Sequence, residues 1–129
     1  MTEVLFYRYQ GSFWGFEERG HSGYASAGED ILCSAISAMT MLVVNACEVA
    51  YATDVEYDVD EEMTSVTVSC KSVFEKADVN QKYAVCGLIE AYFYQLNDLT
   101  EEYYDNLSVN VIEKSPFDTD PGKSSSHKK

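Results

Sequence analysis

Apolar and polar side chains alternate in part over residues 2–10, a stretch rich in Val, Phe and Tyr, and this predicts a strand. Gln10-Gly11-Ser12 reads as a turn, and residues 12–19 read as the second strand of a hairpin. Small residues and three glycines then make a loop from Gly20 to Gly28. The pattern changes to a helical one from about Glu29 to about Tyr51, with Glu29 and Asp30 suited to the first turn. Residues 53–60 and 65–72 alternate again and predict two strands, turned at Glu61-Glu62. A second helix is expected from about Asp78 to about Asn97, with Asp98-Leu99-Thr100 breaking or re-capping it. Leu107 to Glu113 predicts a last strand, with Val109 and Val111 on one face and Ile112 on the other.

The order is β-β-α-β-β-α-β. It implies an α+β fold, a two-layer structure with an antiparallel or mixed sheet of about five strands and two main helices packed on it. Residues 1–114 are expected to form one domain, and 115–129, which hold Pro, Gly, Ser and Lys without an apolar pattern, a flexible tail. Ile31 to Cys47 has no charged side chain, close to the lower limit of a membrane span. Ser34, Ser37, Thr40 and Asn45 within it favour a helix buried between a sheet and another helix.

Charge narrows the partners. The chain of 129 residues has a net charge of −13, and residues 1–114 alone carry −14. Such a surface repels phosphate backbones and attracts basic proteins or peptides. No nucleic acid and no membrane partner is expected. Four cysteines, at 33, 47, 70 and 86, show no C-x-x-C spacing, which argues against a zinc or thioredoxin-like site. With no basic segment ahead of an apolar run at the N-terminus, a cytoplasmic protein with free thiols is expected.

The chemistry concentrates in residues 20–37. A helix starting near Glu29 or Asp30 would put Cys33 in its first turn, where free amides and the positive end of the dipole favour a thiolate. Cys47, Cys70 and Cys86 lack that setting and read as packing residues. His21 is the only histidine outside the tail, and imidazole is the usual partner of a cysteine nucleophile. Asp30 and Ser37 lie one turn before and after Cys33; Asp30 could orient the imidazole or serve only as a first-turn acid. Ser37 could bond substrate or only its own helix backbone. Amides around Cys33 would form an oxyanion hole. Gly20, Gly23 and Gly28 would allow close backbone approach and a mobile substrate loop, or simply turn geometry.

Gly20-His21, Gly28-Glu29-Asp30-Ile31-Leu32-Cys33 and Ser37 resemble the motif of the ribosomal-processing cysteine protease family (Prp) of Firmicutes and related bacteria. Ser22 and Ser34 stand where that family more often has Ala. The resemblance implies a His21–Cys33 dyad assisted by Asp30 and Ser37, a homodimer, and a loop that orders on binding. It also implies the substrate: the N-terminal extension of the basic ribosomal protein L-twenty-seven. No metal or organic cofactor is implied. Two other functions fit the same residues: a non-catalytic acidic module that binds a basic ribosomal protein, and a cysteine hydrolase acting on a non-peptide ester.

Overall fold

The structure is a computed structural model that describes residues 1–20 and 27–117, with 27–29 described by their backbone. Its elements run β1 (Thr2–Tyr9), β2 (Ser12–Arg19), α1 (Ala27–Asn45), β3 (Glu56–Asp60), β4 (Ser65–Ser69), α2 (Val79–Glu102) and β5 (Leu107–Glu113). The five strands form one mixed sheet in the order β3-β4-β2-β1-β5. All pairs are antiparallel except β1 with β5. The β1–β2 hairpin closes through Gln10 and Gly11, both at positive φ (51° and 81°), the two-residue turn that matches strand twist.

Both helices contribute to one core on one face of the sheet. Val4, Phe6, Phe16 and Val68 meet Leu32, Ile36, Val43 and Val44 of α1 and Val85, Ile89, Tyr92 and Leu96 of α2. Tyr92 is held edge-on between Phe16 (5.1 Å) and Phe6 (5.7 Å). On the other face Trp14 packs on Tyr7 and donates its indole N–H to the Lys114 carbonyl (3.0 Å), which draws the chain after β5 across the sheet.

Several expected boundaries move for identifiable reasons. The first strand after α1 begins at Glu56, not residue 53. The chain before it closes the helix: α1 passes into a π-helical turn at Ala46–Ala50, and Thr53 donates from both its amide (3.0 Å) and its hydroxyl (2.7 Å) to the Cys47 carbonyl. β4 stops at Ser69, and Lys71–Phe74 form a 3₁₀ turn. α2 starts with a capping box between Asp78 and Gln81 and runs through Asp98-Leu99-Thr100 without a break. There the Thr100 hydroxyl bonds the Asn97 carbonyl, while Leu96, Leu99 and Tyr103 pack on the core, so tertiary burial outweighs the local break signal.

α1 is not enclosed between the sheet and another helix, as its apolar run suggested. One stripe is built into the core, while Ile31, Leu42 and Val49 are exposed at 62, 63 and 73%. Asp30–Ala50 is long and apolar enough, by length and composition, to cross a membrane. Residues 118–129, most of the expected tail, lie outside the described residues.

Candidate active site

Three elements meet at one end of the sheet. Thr2 opens β1, Gly20 follows β2 beside it, and Cys33 in the second turn of α1 reaches Thr2. Thr2 is fully buried, and its amide is fixed by the Asn106 carbonyl (2.8 Å). The Cys33 sulfur is 3.9 Å from the Thr2 hydroxyl, within the range of a sulfur hydrogen bond. If Cys33 is ionised, that hydroxyl donates to the thiolate. Gly20 donates its amide to the Thr64 carbonyl (3.1 Å) and adopts φ +90°. A β-carbon on Gly20 would sit 2.2 Å from the Met1 carbonyl oxygen and 3.6 Å from the Thr2 α-carbon. Only glycine fits there. The chain thus leaves β2 against Met1 and Thr2, beside the residue that touches the Cys33 sulfur, and continues into His21. His21 and Gly23 lie outside the described residues, as do Ser22 and Tyr24.

Among the four cysteines, all free, Cys33 alone is half-buried while Cys47, Cys70 and Cys86 are buried. Their environments differ accordingly. The Cys70 thiol is pushed up by its hydrogen bond with Cys47 and then by burial. Burial pushes Cys86 up to about 11. Both stay thiols at neutral pH, as packing residues do.

Helix geometry corrects one expectation. α1 begins at Ala27, with Gly28 in its first turn, so Cys33 falls in the second turn. Its own amide is then bonded within the helix, and the helix amides without an intrahelical partner are those of residues 27–29. The helix start therefore acts on Cys33 from a turn away and does not supply an oxyanion hole at Cys33 itself. Asp30 and Ser37 are both exposed, on the solvent side of α1, while Cys33 turns toward the sheet.

Sequence reasoning missed Thr2, Glu18, Thr40 and Tyr92. Glu18 is 2% exposed, beneath α1. One carboxylate oxygen accepts hydrogen bonds from the Thr40 hydroxyl (2.7 Å) and the Tyr92 hydroxyl (2.8 Å). Burial pushes the Glu18 carboxyl up to about 7, and the two hydroxyl donors oppose that rise. A buried acid was readable in principle, since Glu18 shares a strand face with Phe16. Among the described residues no three His, Cys, Asp or Glu side chains converge as metal ligands. Small clefts around Asp54, Ser72 and Lys76 lie at the far end of α1 from Cys33.

Similar folds are known. A protein designated SMU.848 from Streptococcus mutans superposes with a TM-score of 0.75 at 27% identity, covering 88% of this chain and 96% of that one. The ribosomal processing protease Prp of S. aureus, solved with a substrate peptide, superposes with a TM-score of 0.71 at 18% identity, covering 87% and 100%. The same enzyme with a covalently linked product peptide gives 0.68. No curated protein matches. The family model for cysteine protease Prp matches residues 1–108. With a half-buried cysteine at the sheet end where the chain turns into its one histidine outside the tail, the chain belongs to this family of cysteine proteases.

Proposed function

We propose that this protease removes the N-terminal extension of a basic bacterial large-subunit ribosomal protein of the L-twenty-seven type. Cys33 is the nucleophile and His21 the base. The observation that carries the site is the contact of the Cys33 sulfur with Thr2, beside the glycine that leads into His21. His21 takes the thiol proton, and the sulfur adds to the scissile carbonyl carbon. The imidazolium then protonates the leaving amine as the C–N bond breaks, leaving a thioester. Water, deprotonated by His21, hydrolyses the thioester and regenerates Cys33. Asp30 and Ser37, exposed one helical turn before and after Cys33, would assist through substrate or the imidazole. The sequence requires no cofactor for these steps.

The substrate reading draws on the net charge of −13, which steers a basic protein toward the enzyme. It also draws on the activity and bound peptide of the S. aureus protease of the same fold. Free cysteines throughout suit a cytoplasmic protein. The homodimer implied by the family resemblance would use the exposed stripe of Ile31 and Leu42 on α1 and Val49 in the π-helical turn that continues it. The test is incubation of purified protein with a peptide spanning that extension and the following residues. One new N-terminus, lost in Cys33→Ala and in His21→Ala, is expected. Undiminished cleavage by Cys33→Ala would overturn the assignment.

A further inference from the structure

The mechanism above makes no use of Glu18, yet this acid joins three elements at the core beneath the nucleophile's helix. It projects from β2 two residues before Gly20. Thr40 comes from α1, on the same inward stripe as Cys33 and Ile36, two turns further along. Tyr92 comes from α2, where Phe6 and Phe16 hold its ring and its hydroxyl also approaches the Ile36 carbonyl at 3.5 Å. Glu18 pairs across the sheet with Val4 and Val66, which carry no titratable group. Glu17 and Arg19 point to the opposite face, where they pair with each other. Among the described residues, the titratable groups on the stripes that the helices turn toward Glu18 include Tyr92 on α2 and, further along α1, Cys33.

We propose that Glu18 is a positioning residue for Cys33: its buried carboxyl, shared by Thr40 and Tyr92, fixes how α1 lies on the sheet end where Cys33 meets Thr2. This rests on Cys33 being the nucleophile. The three oxygens form a closed triangle, because the Thr40 and Tyr92 hydroxyls are also 3.0 Å apart. With the carboxyl ionised, both hydroxyls donate to it, and the Thr40–Tyr92 edge holds no hydrogen. With the carboxyl neutral, its own O–H adds a third hydrogen, and every edge can be bonded. Gain or loss of one proton therefore rearranges the hydrogen bonds that Thr40 makes, and with them the tie to α1. Because burial brings this carboxyl to about 7, that exchange occurs at working pH. Tyr92 stays protonated throughout, since burial raises it further above its ordinary value.

The test follows alkylation of Cys33 by iodoacetamide from pH 5.5 to 8.5, located by peptide mass spectrometry, in wild type, Glu18→Gln and Thr40→Val. Glutamine keeps the shape and an acceptor but cannot ionise. Wild type should show an inflection near pH 7 beyond the thiol's own titration. Glu18→Gln should follow a single titration curve and differ at least threefold in rate at one end of the range. Thr40→Val, which cuts the link to α1, should lose the inflection as well, and it serves if Glu18→Gln does not fold. Profiles of both folded variants that superpose on wild type would overturn the proposal. Alkylation needs no peptide, so a failure of the peptide to be cut counts against the substrate, not against Glu18. Equal labelling of Cys33 and the core cysteines in wild type would instead remove the nucleophile on which the proposal rests.

Discussion

At the scale of single residues, Glu18 and the cysteines give the sharpest expectations. Burial raises the Glu18 carboxyl from 4.5 to about 7, so the folded state holds its proton more tightly than the unfolded chain. Below about pH 4.5 both states are protonated and no charge is buried. As pH rises toward 7 the unfolded chain ionises first, and stability falls; above 7 the loss is complete. Its size is on the order of 3 kcal/mol. Urea denaturation at pH 5 and pH 8 should show that fall in wild type and a smaller one, by about that amount, in Glu18→Gln. Equal falls would contradict it. The cysteines make a second prediction. Cys33 should react with iodoacetamide on the order of a hundredfold faster than Cys47, Cys70 or Cys86, which are buried out of reach of the reagent, with Cys70 and Cys86 also held as thiols. The contrast between Cys33 and the packing cysteines is legible in the sequence, because each lies at a recognisable place in its element. The link of Glu18 to Thr40 and Tyr92 is not, because those residues stand 22 and 74 positions away and no local spacing marks them. Thr2, 31 residues from Cys33, escapes local patterns for the same reason.

At the scale of elements, the hairpin and α1 set the site. Gly20 ends β2 at positive φ against the Met1 carbonyl, so Gly20→Ala strains the backbone and drives a methyl group into main chain. A loss of about 1–3 kcal/mol of stability is expected. Peptide cleavage should fall more than the lost stability explains, because the chain that carries His21 is displaced. Full activity with unchanged melting would show that this entry to His21 is not needed. The strand and helix order is legible from the alternation of Val, Phe and Tyr and from the helical runs. The ends are less so. Thr53 is spent on closing α1 instead of starting β3, and packing of Leu99 and Tyr103 carries α2 past its polar interruption. The start of α1 at Ala27 also changes the chemistry, moving Cys33 inside the hydrogen-bonded helix. On the proposed mechanism its reactivity then rests on Thr2 and His21 more than on free helix amides.

At the scale of the whole molecule, charge and the exposed apolar residues of α1 bear on the proposed partners. With a net charge of −13, kcat/KM for a basic peptide should fall several-fold between 50 and 500 mM salt, mainly through association. A neutral peptide with the same cleavage residues should respond little; equal salt effects on both would remove the steering argument. Leu42→Glu puts a charge on the exposed stripe and should convert the proposed dimer to a monomer in sedimentation velocity; a wild type that is itself monomeric would remove the dimer. An unaltered dimer would place the interface elsewhere. The acidic balance was legible from composition. The stripe was not, because an uncharged run of seventeen residues does not reveal which side stays uncovered. The central claim, that Cys33 is the nucleophile, is tested most directly by trapping the acyl-enzyme. A peptide spanning the L-twenty-seven-type extension is mixed with the protein, quenched in acid during turnover, and the adduct located by tandem mass spectrometry. A thioester on Cys33 with the mass of the N-terminal fragment is predicted. The same adduct on another residue, or cleavage that persists in Cys33→Ala, would contradict it.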